Sequence, residues 1–383
     1  MNQNFQKEKN LVLDYYKALD KAEGDEISKV LSSHISKDYI WRGFHPFNEQ
    51  SDAEELSKVF WQPFRHAFKN MQRRMDIFIA GKNQIDGFES VWVVSMGQLM
   101  GLFDNEWLGI QPSRKMAFLR YCEFNKVQDG KITETAMFFD IPHVMIQVGL
   151  TPFPPQTGAH LVQPGPMTHE GLLFDEQDAA EGEKTLDAID FMVNDIRTWK
   201  EKQEMPLVDE LRRSWKEDMI WWGPAGIGAT YTIERYAEQH SGPFRASFKD
   251  RISNGHLCKL AEGHFGGFFG WLGSDKVTKA LDSVSEKSFL ECQKVVKGHT
   301  KKEGSASKED ELKEVSNSPL KQLRPFLVGS PHLYLFLPFI HPDYKRLKKI
   351  MEEGISVSDH SLIGPRIVGG YAFNQYTGSD STW

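Results

Sequence analysis

Apolar residues recur at helical spacing from Leu11 to Ser33: Val12, Tyr15 or Tyr16, and Leu19 share one face and predict a helix. Gly24-Asp25 interrupts the run and separates it from a second helix. Ser51-Asp52-Ala53-Glu54 has the form of a capping box and predicts a helix reaching about Lys69. The period then changes. Arg73 to Gly81, Glu89 to Phe103, Arg114 to Gln128 and Lys131 to Asp140 are rich in Val, Ile, Phe, Tyr and Trp, which predicts long strands. Helices followed by antiparallel strands give an α+β arrangement, with the helices on one face of a curved sheet. Helical periodicity returns from Glu183 to about Glu204 and from Pro206 to Trp215.

The last hairpin can be read residue by residue. Asp129-Gly130 is a two-residue turn signal, so Gln128 is expected opposite Lys131. Continuing that register pairs Tyr121 with Phe138, Glu123 with Ala136 and Leu119 with Asp140. Side chains alternate between faces. Tyr121, Glu123, Glu134, Phe138 and Asp140 are therefore expected on one face, and Arg120, Cys122, Phe124, Met137 and Phe139 on the other. The first set mixes apolar groups with carboxylates, as a ligand pocket does.

Two blocks of the chain are written twice at one spacing. Asp38-Tyr39-Ile40-Trp41-Arg42-Gly43 recurs as Asp218-Met219-Ile220-Trp221-Trp222-Gly223, an offset of 221 − 41 = 180. Pro63-Phe64-Arg65-His66-Ala67-Phe68-Lys69 recurs as Pro243-Phe244-Arg245-Ala246-Ser247-Phe248-Lys249 at the same offset, with Glu54 and Glu234 in register between them. A period this long predicts two tandem domains. The first spans residues 1–150. A proline-rich and then acidic linker follows at 151–182, a partial second domain at 183–272 and a divergent tail at 273–383. At the same offset Asp140 would correspond to Leu320, and the region that should supply the closing strands is charged and Ser-rich. The second domain is accordingly expected to be incomplete, covered by the tail or poorly ordered, and Tyr334 to Ile340 is the best strand candidate in that tail.

Composition narrows the function classes. The chain has 383 residues, 40% of them hydrophobic and 26% charged, the profile of a soluble globular protein. A formal charge of −7 and no basic stripe with interleaved aromatics argue against nucleic acid as a partner. Cys122, Cys258 and Cys292 are sparse and unpaired in spacing, which suits a reducing, cytoplasmic setting. Met1 to Asn10 is too polar for a signal peptide, and Pro325 to Ile340 is too short and broken to span a membrane.

The Trp-x-Gly segment, the Pro-Phe-Arg-x-x-Phe helix, and Asp129-Gly130-Lys131-Ile132-x-Glu134 running into Phe139-Asp140-Ile141-Pro142 and Gln147-Val148-Gly149-Leu150 resemble the SnoaL-like polyketide cyclases of the nuclear transport factor 2-like superfamily. The resemblance runs from about Leu11 to Leu150, and in the second half from Asp218 to about Trp271. It implies two cone-shaped domains, each a curved antiparallel sheet wrapped on helices around a deep pocket. It also implies ring closure by intramolecular aldol chemistry on a small hydrophobic carbonyl compound, without metal or cofactor. By motif match Asp140 stands at the family's acid/base aspartate. Burial would raise a carboxyl pKa toward working pH and improve it as a general base. Thr135-Ala136 follow Glu134 where the family often has His or Asn and then Trp, so the usual proton-transfer partner is missing there. His45, His66 or Tyr121 are the substitutes, with Glu123, Phe138 and Trp41 completing the expected pocket. The alternative is a non-catalytic module of the same fold that binds a small molecule or dimerises, within the chain as a pseudo-dimer or between chains.

Several residues carry a second, structural reading. Asp140 before Ile141-Pro142 is a good helix N-cap. Trp41 and Trp221 fit a core as well as a substrate platform. Arg65 and Arg245 read as structural ion pairs rather than anion binders. His256, Cys258 and His264 match no strong metal-ligand spacing, and Gly223 to Gly228 reads as a loop without a dinucleotide fingerprint.

Overall fold

The computed structural model describes residues 2–43, 47, 49–150, 156–159, 165–166, 168–198, 204–247, 253–272 and 367–368. The chain opens with β1 (Asn2–Gln3), α1 (Gln6–Lys21), α2 (Glu26–His34), β2 (Ile35–Arg42) and β3 (Glu49–Gln50). There follow α3 (Ala53–Leu56), a π turn over Ser57–Trp61 and α4 (Gln62–Ala67). Four long strands come next, β4 (Phe68–Lys82), β5 (Val91–Phe103), β6 (Met116–Gln128) and β7 (Lys131–Phe139), then α5 (Ile141–Gln147). The second half holds β8 (Gln177–Asp178), α6 (Ala179–Arg197), α7 (Leu207–Leu211), β9 (Ile220–Trp221) and β10 (Thr230–Tyr231). It continues with α8 (Ile233–Tyr236), a π turn over Ala237–Ser241, α9 (Gly242–Ser247), β11 (Ser253–Glu262), β12 (Phe265–Leu272) and β13 (Ile367–Val368).

The first half is α+β: one curved six-stranded sheet, in the order β3-β2-β7-β6-β5-β4, packed on helices. Val12, Tyr15, Tyr16 and Leu19 of α1, Ile27 and Leu31 of α2 and Phe64 of α4 are buried in one cluster with Phe78, Val93, Leu99, Tyr121 and Phe139 of the sheet. That cluster defines the sheet's inner face. Both tyrosines at 15 and 16 belong to it, because α1 lies in the hollow of the curve. The sheet is not wholly antiparallel: β2 runs parallel to β7, which carries the Trp41 strand back beside the last hairpin. The cap of the third helix is Asp52 and not Ser51; its carboxylate accepts from the amides of Glu54 and Glu55.

The hairpin between β6 and β7 corrects one expectation. Asp129 and Gly130 both have positive φ, the conformation their two-residue turn requires. Gln128 faces Lys131 and Val127 faces Ile132, as the turn dictates. Thr133 then stands as an extra residue, so Lys126 faces Glu134 and every later pair is shifted by one. Tyr121 faces Phe139, and Glu123 faces Met137. A one-residue slip exchanges the faces of β7. Met137 and Phe139 go to the inner face with Tyr121 and Glu123, while Phe138 goes to the outer face with Cys122 and Phe124.

The second half lies against that outer face. Ile77, Ile79, Trp92, Val94, Met96, Cys122, Phe124 and Phe138 form a common buried layer with Cys258, Leu260, Phe265 and Phe269 of β11 and β12. Each large side chain in such a layer contributes roughly 1.5–3 kcal/mol by leaving water. Polar contacts fix the two sides in register: the Gln84 amide donates to the Lys259 carbonyl (2.8 Å), and Asn83 joins the Leu257 carbonyl and the Lys259 amide (both 3.0 Å). Lys9 of α1 and Glu262 of β11 form an ion pair of 2.5 Å whose side chains are 1% and 0% exposed.

The helical segments of the two halves match in order and length. α8, the second π turn and α9 each begin 180 positions after α3, the first π turn and α4 (233 − 53, 237 − 57 and 242 − 62). Gly43 lies under the Trp41 indole and Gly223 under the Trp221 indole, where an added Cβ would come within 2.2 Å of either ring. A side chain at either place would force its surroundings to shift. The second sheet is smaller, in the order β11-β12-β13. The strand expected at Tyr334 to Ile340 lies outside the described residues; Ile367–Val368 pair with Trp271 and Gly270.

Candidate functional site

The inner face of β4, β5 and β6 carries a buried polar cluster on otherwise apolar walls. Arg73 faces inward because β4 alternates and Arg73 pairs with the inward Leu99. Its guanidinium lies 3.9 Å from the centroid of the Tyr16 ring and 5.2 Å from that of Tyr121. Arg73 Nη1 donates to Glu123 Oε2 at 3.2 Å, and Nη2 donates to Asp20 Oδ1 at 3.4 Å. Ser95 Oγ and the Tyr121 hydroxyl are 2.7 Å apart. Asn125 Nδ2 donates to the Tyr16 hydroxyl (3.0 Å), and Thr135 Oγ1 donates to Asn125 Oδ1 (2.8 Å). Asp20, Arg73, Glu123, Tyr16, Asn125 and Thr135 thus form one connected network beneath α1.

Burial sets the proton affinities of this cluster. Glu123, 1% exposed, has its pKa raised because burial disfavours its charge more than Arg73 and the Tyr16 hydroxyl favour it. Burial likewise pushes the Tyr16, Tyr39 and Tyr121 hydroxyls upward, so all three stay protonated and can donate. Burial would pull the Arg73 guanidinium down, but Asp20, Tyr121 and Glu123 more than offset it and hold it charged. A carboxyl that binds its proton more tightly than usual, beside a fixed cation and neutral hydroxyl donors, is equipped to take and return a proton.

An aromatic wall adjoins the cluster. Trp41, 1% exposed, lies 5.4 Å from Phe60 and 6.5 Å from Phe139, centroid to centroid, and Phe47 lies 5.0 Å from Phe60 and 6.3 Å from Trp107. Trp61 is presented by the first π turn, and the Arg73 guanidinium is 5.8 Å from its ring. π turns recur at functional sites because they displace a side chain from the regular helical face.

The expected site residues divide. Tyr121, Glu123 and Trp41 are on the inner face or in its aromatic wall. Phe138 is a correction: it lies on the outer face, 6.0 Å from Phe269, because of the extra residue at Thr133. His66 is a second correction, an exposed residue of α4 whose carbonyl accepts from Asn105 Nδ2. His45 lies outside the described residues. Asp140 is the third correction: it does not share a face with Tyr121 and Glu123. It follows the outward Phe138 by two positions and is buried between the halves. Its Oδ2 accepts from Arg120 Nη2 (2.6 Å) and the Ala225 amide (2.9 Å), and its Oδ1 accepts from the His143 amide (3.1 Å) as the cap of α5. Burial raises its pKa, but Arg120 first, then His143 and the Ala225 amide, bring it below the ordinary carboxylate value. A carboxylate held ionised by three donors is a poor proton acceptor; its geometry suits a joint.

Arg73, Asp20, Tyr16 and Trp61 escaped the sequence reading. The available signal was an arginine inside a strand pattern, since a buried Arg needs a carboxylate nearby, but its partner Glu123 is 50 positions away. Arg245 forms the anticipated ion pair, bidentate with Glu210 at 2.7 and 2.9 Å. Arg65, its counterpart in the first half, donates to the Ala22 carbonyl at 3.4 Å and forms no ion pair among the described residues. Among the described residues no group of three or more His, Cys, Asp or Glu side chains could hold a metal ion, and no helix is long and apolar enough to cross a membrane.

No family model matches the chain, and no curated protein matches it. Solved structures similar to part of it include a candidate SnoaL-like polyketide cyclase from Jannaschia sp. CCS1, with 18% identity and TM-score 0.32, covering 40% of this chain and 99% of that one. A candidate hydroxylase from Streptomyces galilaeus has 19% identity and TM-score 0.31, covering 38% of this chain and 98% of that one. IdmH, a candidate polyketide cyclase from Streptomyces antibioticus, has 18% identity and TM-score 0.30, covering 36% and 98%. At these values the likenesses assign no activity.

Proposed function

We propose that the first half of the chain binds a small, mainly apolar carbonyl compound against the inner face of its sheet, and that Glu123 carries its proton. The reaction class is cofactor-free cyclase or isomerase chemistry of the polyketide-cyclase kind. The observation that carries the reading is Glu123 itself: a buried carboxyl of raised pKa, on the inner face, beside Arg73 and two tyrosine hydroxyls. In an aldol closure Glu123 would take a proton from the carbon between two carbonyls, leaving an enolate. The enolate carbon would attack a second carbonyl of the same molecule, and the alkoxide formed there would recover a proton. No electrons enter or leave. Asp140, the residue named by motif, is given the structural role its three donors indicate.

The test uses the full chain and ethyl acetoacetate, read by proton–deuterium exchange at C2. The wild type is expected to accelerate exchange, with a rate that rises with pH as Glu123 ionises. Glu123→Gln is expected to lower the acceleration by roughly 10²–10⁴-fold. Equal exchange by the variant removes the assignment.

A second reading concerns the other half, and the covered outer face favours it. We infer that residues 183–272, with Ile367–Val368, are a reduced second copy of the same fold, derived by tandem duplication and serving as an internal partner for the first sheet. The domain limits at 150 and 183 and the reducing, cytoplasmic setting belong to the same proposal. Such a pseudo-dimer should sediment as a single chain at micromolar concentration. A stable two-chain species would count against it.

A further inference from the structure

Trp61 places an indole N–H inside the first half with nothing among the described residues to receive it. Its Nε1 is buried and has no hydrogen-bond partner among the described residues, and Trp61 is 1% exposed. Native interiors rarely leave such a donor unpaired, and each instance calls for an explanation. Arg65 stands one turn further along the same helical segment, and its Nη1 is also buried without a partner among the described residues. The Arg73 guanidinium, 5.8 Å from the Trp61 ring, completes a set of donors and cations near the C-terminal end of α1.

We infer that Trp61 Nε1, supported by Arg65 and Arg73, is the seat of an oxyanion: the oxygen of an enolate or of a comparably delocalised anion. This rests on the reading of Glu123 as the proton carrier. The charge balance supports it. With Glu123 ionised, the Arg73 guanidinium meets the carboxylates of both Asp20 and Glu123, while Arg65 donates to the Ala22 carbonyl. When a C–H bond of the ligand breaks and its proton passes to Glu123, the electron pair moves to the carbonyl oxygen. One carboxylate charge disappears and one enolate charge replaces it, so the total is unchanged. A donor already fixed at that oxygen stabilises the developing charge without reorganising.

The second half offers an internal comparison. Position 241, the counterpart of Trp61, is Ser241, and position 240, the counterpart of Phe60, is His240. Arg245, the counterpart of Arg65, is taken up by Glu210. The same helix, π turn and helix therefore occur with the indole donor absent and the arginine neutralised. The indole at this position belongs to the first half.

The test uses 4-nitrophenol with the full chain. Its phenolate mimics an enolate in spreading charge from oxygen into a conjugated system, and it absorbs separately from the phenol. The wild type is expected to bind phenolate in preference to phenol. Trp61→Phe, which keeps a ring but cannot donate, is expected to bind phenolate about tenfold more weakly, the effect of one hydrogen bond to a charged group. If Trp61→Phe does not fold, Arg65→Gln on the half-buried side of the site decides, with a loss of similar size expected. Equal affinity of the wild type for phenol and phenolate, or unchanged phenolate affinity in the deciding variant, overturns the inference. The two readings fail separately. Loss of exchange in Glu123→Gln with unchanged phenolate binding in Trp61→Phe removes the oxyanion seat and keeps the proton carrier. Weakened phenolate binding with undiminished exchange in Glu123→Gln removes the proton carrier and keeps the seat.

Discussion

Glu262→Ala is expected to lower the unfolding free energy of the full chain by about 3–5 kcal/mol, the usual effect of stranding one member of a buried ion pair. Glu262 Oε1 receives Lys9 Nζ at 2.5 Å, and its Oε2 receives the Ala80 amide at 2.7 Å. Without the carboxylate, Lys9 keeps, among the described residues, the backbone carbonyls of Leu173 at 2.6 Å and Asp175 at 3.4 Å, and the Ala80 amide loses its acceptor. Replacing both members, Lys9→Met with Glu262→Leu, should recover much of the loss, because no buried charge remains. Denaturant titration measures both. A loss below about 1 kcal/mol in Glu262→Ala would mean that the pair does not join the halves as described.

The same carboxyl gives the interface a pH dependence whose sign is fixed. Burial pushes the Glu262 pKa up to about 7, against the pull of Lys9 and the Ala80 amide. A group with a raised folded pKa binds more protons folded than unfolded. Its contribution is fully present below the unfolded value of about 4.5 and is lost as pH rises through about 7. Glu262→Gln should flatten that part of the stability profile. Persistence of the slope in the variant would assign it to another group.

Arg73→Met is expected to have a comparable effect in the first half, about 3–5 kcal/mol, because it strands Glu123 and Asp20 together. It also has a consequence that a merely structural arginine would not produce. Arg73 is the strongest influence lowering the Glu123 pKa. Its removal should raise that pKa further, so the rising limb of the exchange–pH profile should move to higher pH. Arg73→Lys keeps a charge but loses the planar two-point contact with Glu123 and Asp20, and should fall between the two. An unchanged rising limb in Arg73→Met would disconnect Arg73 from the reacting carboxyl.

Local chemistry was legible in the sequence, and long-range pairing was less so. Gly24-Asp25 separates α1 from α2, the four strand runs are found within a few residues, and Asp129-Gly130 forms the turn it encodes. These features depend on neighbours in sequence. The faces of β7 depend on Thr133, a residue with no local mark of a bulge, and Phe138 and Asp140 changed sides with it. The partnership of Arg73 with Glu123 depends on how β4, β5 and β6 align. No two-residue turn joins β4 to β5 or β5 to β6, so that alignment could not be counted from a loop. Ser51 and Asp52 both fit a cap, and only the backbone amides at 54 and 55 distinguish them. The parallel course of β2 beside β7 is a topological choice that no single segment records.

The shared apolar layer ties the fates of the two halves together. Trp92, Phe124 and Phe138 on one side touch Phe269 on the other. A lineage that discarded the second half would turn a sheet of aromatic and aliphatic residues toward water, inviting clumping. The outer face of the first sheet stays dry only while the second half covers it.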